Sequence, residues 1–281
     1  MGTGIDFGRR LTELADRADR TFSFVYTDFL NMQELSVYAA MKKELLFVES
    51  VAFGGMDGCE RCMIRFGNED TVISHDQRKY DSGSYDSWDE AEKSDLVDGQ
   101  KISDYTDFPI TLLEISPVRE KFADDLTHRD FLGSILGLGL EREKTGDIIV
   151  RDNHAYAFVH RDIADYIADS LEYVKHTHVS VSICGSVPED ARPKLEKQRL
   201  IVSSNRLDAV TARLYRLSRE QGAKLVTEGR VFINGAETVS VSKALKPGDI
   251  VSVRGHGRFI FREEAGHSKK DRLYVDVEVY M

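Results

Sequence analysis

The sequence predicts an α+β protein made of three small domains, and three observations support this fold class. Residues 109–180 alternate between short apolar runs and helical patterns. Residues 199–262 contain two helical patterns and then short β-branched runs separated by turn residues. The first 75 residues combine helical patterns with two short strands around Gly54-Gly55. A chain of 281 residues is long enough for two or three such domains.

Composition places the chain among ordinary globular proteins. Hydrophobic residues make up 41% of it and charged residues 31%, and no apolar run is long enough to span a bilayer. The N-terminal segment is charged and lacks an apolar signal core, and three cysteines suit a reducing compartment. We therefore expect a cytoplasmic protein with no membrane partner.

The first domain is predicted over residues 1–75. Its helices and strands are expected over 7–14, 18–29, 34–47, 48–53 and 62–66. Cys59-x-x-Cys62 in this domain invites a metal or redox interpretation. Zinc needs about four ligands, and the candidates outside the motif are Cys184 and His75, which are distant in sequence. A redox site needs a helix after the motif, but a strand is predicted there. We interpret the pair as incidental and expect no metal and no cofactor.

Residues 76–104 form a predicted acidic linker or partly ordered insertion. Between Asp81 and Asp98, seven acidic residues face a single basic residue, Lys93, among serines, glycines and the only tryptophan. Such a segment cannot bury enough apolar surface to pack as a domain of its own.

The second domain is predicted over residues 105–186 from the order of its elements. A strand, a helix, two strands, a helix and a last strand are expected over 110–115, 122–140, 147–150, 155–159, 163–174 and 179–184. This order is that of the ferredoxin-like plait, which is also the fold of the common RNA-recognition module. Tyr156 and Phe158 match the core of that module's aromatic signature and are candidate contacts for RNA or a protein partner. Packing of both rings inside the protein is the alternative.

Two helices are predicted at the start of the third domain, which covers residues 199–281. The first opens near Ser204 or Asn205, and its apolar face is formed by residues at three- and four-residue steps, namely Leu207, Val210, Leu214 and Leu217. The second has the spacing of a capping box, with Ser218 as N-cap and a glutamine three residues later, and it should end at Gly229.

Turn residues divide the rest of this domain into strands. Asn234-Gly235 is the commonest type I′ hairpin pair, and Lys246-Pro247-Gly248-Asp249 is a second turn. Residues 191–197 should be a linker into the domain. Strands are expected over 231–233, 237–239, 250–254 and 273–279.

The third domain is a basic island in an acidic chain. Residues 199–262 hold twelve Lys and Arg against five Asp and Glu, whereas the whole chain carries a net charge of −10. A net-negative protein gains little from general attraction to polyanions, so these cations must share one face if they bind RNA. The alternative is a solvated helix face on which Arg206 and Asp208 simply pair.

Four short motifs follow one another in this domain: Arg206-Leu207-Asp208, Ser218-Arg219, Gly229-x-Val231-x-Ile233-Asn234-Gly235 and Leu245-x-x-Gly248-Asp249. The set resembles the RNA-binding domain of small-subunit ribosomal protein S-four, a helix-helix-hairpin module that grips structured RNA largely by its backbone. The resemblance implies phosphate-facing roles for Arg206, Ser218, Arg219, Lys224 and Arg230. Further candidates in the domain, two of them flanking a Gly-His-Gly turn, are Arg213, Asn234, Arg254 and Arg258.

A second resemblance covers nearly the full length. The segment from His128 to Leu140, followed by Glu141-Arg142 and Gly146-Asp147-Ile148-Ile149-Val150, is similar to the YlmH family of bacterial RNA-binding proteins. That family joins an N-terminal domain and a plait domain to a C-terminal S-four-type domain. His128 and Arg129 are added as candidate contacts with RNA or a partner. With Asp130 they imitate a kinase catalytic loop, but no asparagine follows at the required spacing, so that interpretation fails.

The family resemblance implies a non-catalytic, ribosome-associated factor. It would act as a monomer on the large subunit carrying trapped peptidyl-tRNA, in ribosome quality control and C-terminal alanine tailing. Its partners would be ribosomal RNA, tRNA and other quality control factors. We expect no catalytic residue, because no nucleophile-base pair is apparent. The alternatives are an RNA-modifying enzyme of the pseudouridine-synthase kind and a cell-division-linked scaffold. Replacing Arg206 and Arg219 by alanine should weaken ribosome binding without unfolding the domain.

Overall fold

The protein is described by a computed structural model that covers residues 4–68, 70, 107–267 and 272–281. The chain divides into two compact units. The first comprises residues 1–31 and 41–191, and the second comprises residues 32–40 and 192–281. Helices and antiparallel sheets occur together, so the predicted α+β class is confirmed. The predicted linker at 76–104 and the candidate ligand His75 lie outside the described residues.

The first unit begins with a helix and a small antiparallel sheet of strand order β1-β3-β2. These elements are α1 (Gly4–Thr21), β1 (Val25–Tyr26), β2 (Ser50–Phe53) and β3 (Met63–Phe66). Helix α1 covers the predicted helix at 7–14 and continues through Ala18, where a second helix was expected to begin. The reason is that Leu11, Ala15 and Ala18 form one continuous buried stripe at three- and four-residue steps.

Helix α2 (Met32–Met41) is shorter than the predicted 34–47 helix, and its residues 32–40 belong to the second unit. Its Ser36 Oγ accepts a hydrogen bond of 2.8 Å from the backbone N–H of Glu237. Turns follow the helix over residues 42–47.

The second sheet of the first unit has the strand order β5-β6-β4-β8-β7, and every pairing is antiparallel. The four predicted strands therefore lie in the order 2-3-1-4, which is the order of a ferredoxin-like plait, and a short fifth strand extends one edge. Its elements are β4 (Ile110–Pro117), α3 (His128–Gly137), β5 (Thr145–Arg151), β6 (His154–His160), α4 (Arg161–Ser170), β7 (Tyr173–Val174) and β8 (Thr177–Cys184).

Helix α3 begins six residues later than predicted. A capping box sets this start, because the backbone N–H of Thr127 donates to Asp130 Oδ2 at 2.8 Å. The helix buries Phe131 and Ile135 in the core that it shares with α4 and with one face of the sheet.

Besides most of α2, the second unit contains a six-stranded antiparallel sheet of order β11-β10-β12-β13-β14-β9 and two further helices. Leu207, Val210, Val226 and the strand residue Phe259 are among the buried side chains of its core. The elements are β9 (Leu195–Val202), α5 (Leu207–Leu214), α6 (Arg219–Thr227), β10 (Val231–Ile233), β11 (Ala236–Glu237), β12 (Ile250–Val253), β13 (Gly257–His267) and β14 (Leu273–Tyr280).

The predicted linker at 191–197 is wrong for its last three residues. They belong to β9, which pairs with β14 along its whole length, from Leu195 opposite Tyr280 to Val202 opposite Leu273. These three residues are exposed, and the strand buries side chains only further along, at Leu200 and Val202. An edge strand with an outward polar face reads as a linker until its partner strand is known.

Local turn chemistry agrees with the sequence in the second unit. Asn234 and Gly235 have φ of 52° and 79° and join β10 to β11 in a two-residue hairpin, which confirms the type I′ turn. Gly229, with φ of 66°, follows the end of α6 as predicted. The predicted cap of α5 is wrong, because the N-cap is Arg206, while the Asn205 amide donates to Glu264 Oε1 at 2.6 Å.

Candidate RNA-binding site

Two arginines of the second unit share one buried carboxylate. Asp208 lies in the first turn of α5 and is 2% exposed. Arg206 donates from Nε to Oδ1 at 3.0 Å and from Nη2 to Oδ2 at 3.3 Å. Arg219, at the start of α6, donates from Nε to the same Oδ2 at 3.3 Å. One negative charge therefore holds two positive charges, and the cluster keeps a net positive charge.

Both guanidinium groups of this cluster retain donors for a ligand. The side chains of Arg206 and Arg219 are 37% and 56% exposed. A guanidinium has five N–H donors, and the contacts with Asp208 use two from Arg206 and one from Arg219. Because the carboxylate orients both groups in advance, less conformational entropy is lost when they bind. Two oriented guanidinium groups suit phosphate oxygens, which accept pairs of N–H donors.

The close approach of α5 and α6 depends on Gly222. A Cβ at this position would lie 2.8 Å from the backbone carbonyl oxygen of Asp208 and 2.9 Å from Cβ of Ala212. Only glycine permits this spacing, and the spacing lets Arg219 reach Asp208. Sequence reasoning missed Gly222, although a glycine inside a helical pattern is a recognisable signal of close packing.

Ser218 has the position that the sequence predicts at the N-cap of α6. Its Oγ accepts from the backbone N–H of Gln221 at 3.1 Å, and Gln221 Oε1 accepts from the backbone N–H of Ser218 at 2.8 Å. The capping box is thereby confirmed. The hydroxyl hydrogen of Ser218 remains able to donate to a phosphate oxygen.

Lys224 and Arg213 do not share the Asp208 carboxylate. Lys224 Nζ lies 3.7 Å from Oε1 of Glu228, one turn further along α6, and both side chains are exposed. Such a pair is weak and leaves the ammonium group accessible. Arg213 is exposed in the last turn of α5, and in the described part of the chain its guanidinium pairs with no carboxylate.

A second group of arginines lies at the β12–β13 turn. Arg230 donates from Nη2 to the carbonyl oxygen of Arg254 at 2.9 Å, and the backbone N–H of Arg254 donates to the carbonyl oxygen of Arg230 at 2.9 Å. The Arg254 guanidinium lies 5.4 Å from the ring centroid of Phe232, and that of Arg258 lies 4.5 Å from the centroid of Tyr280. Aromatic faces therefore orient both arginines at this end of the sheet.

Asn234 is engaged inside the protein. Its Nδ2 donates to Asp249 Oδ1 at 2.9 Å, and its Oδ1 accepts from the backbone N–H of Ile250 at 2.9 Å. The side chain thus ties the hairpin turn to the start of β12. The side chain is exposed, and its amide keeps one more N–H donor and one more acceptor position, so its role as an RNA contact stays a prediction.

Tyr156 and Phe158 are not RNA contacts, because the protein buries them. They are 4% and 1% exposed, in a core formed on the sheet face opposite the helices. The Phe158 ring packs so closely on Gly55 that a Cβ there would lie 2.1 Å from it. Tyr156 Oη donates to Asp190 Oδ2 at 2.7 Å. The alternation of residues along the strand correctly predicted that both rings lie on one face of the sheet. They are buried because the N-terminal sheet of the same unit covers that face.

His128 and Arg129 are both exposed at the start of α3. Partial burial of the ring, and then the nearby Arg142, lower the pKa of His128, with Asp147 opposing them. The imidazole is therefore neutral at pH 7 and carries no charge for a phosphate. Arg129 keeps its charge and is the stronger candidate of the two.

The part of the chain that the structure describes contains neither a candidate metal site nor a membrane-spanning helix. No three His, Cys, Asp or Glu side chains are grouped so that they could hold a metal ion. Cys59, Cys62 and Cys184 form no disulfide bond. Of the described helices, none is long and apolar enough to cross a membrane.

Comparison with known proteins gives one family match. Residues 103–185 match the family model described as "Putative RNA-binding domain in YlmH". This range contains the plait, from β4 to β8. The plait, for which the sequence offered either RNA or a protein partner, therefore matches a family of putative RNA-binding domains.

Two curated relatives and one solved structure are similar to the chain. The "Ribosome-associated protein quality control protein P2" of Bacillus subtilis (strain 168) is 34% identical over 169 residues, which cover 59% of this chain and 66% of that protein, slightly under two thirds. The "Small ribosomal subunit protein uS4" of Pseudothermotoga lettingae (strain ATCC BAA-301 / DSM 14385 / NBRC 107922 / TMO) is 40% identical over 79 residues, 27% of this chain and 37% of that protein. The "Cell division protein ylmH from Streptococcus pneumoniae" is 19% identical, with a TM-score of 0.43, over 64% of this chain and 89% of that chain.

These descriptions name an RNA-binding domain, a ribosome-associated protein and a ribosomal protein, and none of them names an enzyme. They agree with both sequence resemblances, to the S-four-type domain and to the larger family that contains it. Residues 103–185 therefore match the RNA-binding domain of the YlmH family, and the chain as a whole is similar to a ribosome-associated relative over 59% of its length.

Proposed function

We propose that this protein is a non-catalytic factor that binds RNA on the ribosome during quality control. The observation that carries the proposal is the Arg206–Asp208–Arg219 cluster, in which a buried carboxylate holds two exposed guanidinium groups. The name of the Bacillus subtilis relative supports the ribosomal context. Catalysis is not needed for this role, which requires only a surface that grips RNA.

The cluster favours recognition of the RNA backbone over recognition of base sequence. Asp208 holds Arg206 through Nε and Nη2 and Arg219 through Nε, so each guanidinium keeps further Nη donors that can pair with phosphate oxygens. Contacts of this kind position a protein on RNA and make its affinity depend on salt. We therefore expect structured RNA to be the ligand of this surface.

The finer parts of the proposal concern the partner. We propose that the protein binds the large ribosomal subunit carrying trapped peptidyl-tRNA, and that it acts as a cytoplasmic monomer in C-terminal alanine tailing. Ribosomal RNA and tRNA would be its direct partners, and other quality control factors would bind nearby. Residues 1–198 carry a net charge of −15, so they repel RNA, whereas residues 199–281 carry +5.

We also propose the three-domain organisation that the sequence predicts. Its boundaries are residues 1–75, 105–186 and 199–281, with the acidic segment 76–104 between the first two. Three separate sheets support this division, since each is built from strands of one segment, apart from the contribution of β9 to the last sheet.

Gradient sedimentation of bacterial lysates tests the function. Wild-type protein should comigrate with free large subunits, and more of it should do so when peptidyl-tRNA is retained on them. The Arg219→Gln variant should shift toward the top of the gradient at moderate salt, because one phosphate contact is lost. Arg9→Gln, which removes an exposed arginine on α1, is the matched control and should sediment like wild type.

Two outcomes would count against the proposal. If wild-type protein stayed at the top of the gradient even at low salt, the ribosomal function would be wrong. If wild-type protein comigrated and Arg219→Gln did so equally at every salt concentration, the function would stand and the assigned face would be wrong.

A further inference from the structure

Arg216 adopts a backbone conformation that long side chains rarely take. Its φ is 55°, in the left-handed region, directly after Tyr215, the C-cap of α5. The backbone N–H of Leu217 donates to the carbonyl oxygen of Ala212 at 2.9 Å, which closes the helix end in the manner of a Schellman motif. Glycine is the usual residue here, because a Cβ makes this conformation unfavourable.

Other polar residues with positive φ have a local reason for it. Asp152, Asn153 and Asn234 are turn residues, whose short side chains tolerate this region. Lys175 uses its position to donate to Asp130 Oδ2 at 2.8 Å and to the carbonyl oxygen of Asp125 at 3.0 Å.

Arg216 has no such reason within the described part of the chain. Its side chain is exposed, and among the described residues it forms no ion pair or hydrogen bond with another side chain. An arginine therefore occupies a glycine position without an internal contact to compensate. Strain that nothing inside the protein explains is found most often at binding surfaces.

The position of Arg216 connects the two arginine groups of the second unit. It lies three residues before Arg219 of the Asp208 cluster. The ring of the preceding residue, Tyr215, lies 5.3 Å from the ring of His256, in the turn between Arg254 and Arg258. The backbone at residue 216 thus stands between the cluster and the β12–β13 turn.

We infer that Arg216 is a further phosphate-contacting residue, which bridges the Asp208 cluster and the β12–β13 turn along one RNA backbone. Its ligand is a phosphodiester group of structured RNA, and the inference rests on the proposed function. The side chain is exposed beyond the end of α5. All five of its N–H donors are then available to the ligand.

Substitution by glycine separates this role from a structural one. Arg216→Gly relieves the backbone strain and removes the charge, so the urea midpoint of unfolding should rise while RNA affinity falls. For binding to purified bacterial large ribosomal subunits we expect an affinity about fivefold lower at roughly 0.15 M salt, and a salt slope shallower by about 0.9. Arg216→Lys keeps the charge and should retain the wild-type slope.

The outcomes distinguish this inference from the function on which it rests. An Arg216→Gly variant that binds subunits with wild-type affinity and salt slope would overturn the inference, while binding by wild type and its loss in Arg219→Gln would leave the function standing. Absence of wild-type binding at about 0.05 M salt, where phosphate contacts are strongest, would overturn both.

Discussion

Removing both arginines of the Asp208 cluster should destabilise the second unit. In the double variant Arg206→Ala/Arg219→Ala, the Asp208 carboxylate would lose the hydrogen bonds that it receives from these two side chains. Because the Asp208 side chain is only 3% exposed, water cannot easily replace them. An unpaired buried charge costs about 3–5 kcal/mol. We expect about 3 kcal/mol, at the low end, because water can enter the space that the two side chains leave.

A loss of this size is a large part of a stability of roughly 5–15 kcal/mol. The sequence-based expectation that this double substitution weakens binding without unfolding is therefore revised. Single substitutions leave one partner for Asp208 and are the better test of binding. Adding Asp208→Asn to the double variant should restore about 2 kcal/mol, because an unsatisfied neutral amide costs only about 1–3 kcal/mol.

Urea unfolding followed by circular dichroism measures these differences. With a slope of about 1–3 kcal/mol per molar urea, the double variant should lose at least about 1 M in its midpoint. The triple variant should fall between the double variant and wild type. A double variant that unfolds at the wild-type midpoint would refute the reasoning, because it would show that Asp208 needs neither arginine.

Three further predictions concern packing, the plait core and acid. In Gly222→Ala the new Cβ would lie 2.8 Å from the carbonyl oxygen of Asp208 and push α5 and α6 apart. The free energy of unfolding in urea should fall by about 1–3 kcal/mol and RNA affinity should fall with it, and wild-type values of both would contradict the close packing. Tyr156→Phe removes a buried hydrogen bond and should cost about 1 kcal/mol with RNA affinity unchanged, whereas lost affinity would mean that this sheet face binds RNA. Hydrogen bonds from Lys175 and then Thr127 lower the pKa of Asp130 to about 2 from its ordinary 3.8. The ionised Asp130 carboxylate therefore stabilises the fold above pH 3.8, and this contribution is lost as the pH falls toward 2. The free energy of unfolding of Asp130→Asn should not show this loss between pH 3.8 and 2. If its acid unfolding curve had the wild-type shape, the stabilising role of the Asp130 carboxylate would be disproved.

Local signals predicted the elements whose geometry is set within a few residues. Asn234-Gly235 and Gly229 have the backbone angles that their residue types favour, and Ser218 caps α6 as its spacing to Gln221 indicates. The plait elements also appear in their predicted order. Each of these features depends on contacts across fewer than five residues, or on the alternation of apolar residues that a local pattern records.

Predictions failed where a partner distant in sequence decides the outcome. Leu195 to Lys197 were expected in a linker, but β14 recruits them into a sheet. Tyr156 and Phe158 lie on the predicted strand, yet residues of the N-terminal segment, including Gly55, cover them. The alternation of residues in one sequence predicts which side chains share a face of the sheet, but it does not predict what covers that face.

The sequence by itself determined the resemblance to the YlmH family, the basic character of the C-terminal segment and the identity of the motif residues there, because charge and motif spacing are properties of the chain order. Tertiary structure decided which of those cations act together. Arg206 and Arg219 meet because Gly222 lets two helices approach, and Asp208 then holds both guanidinium groups beneath the surface. Convergence of charges depends on distances between helices, and such distances exist only after packing.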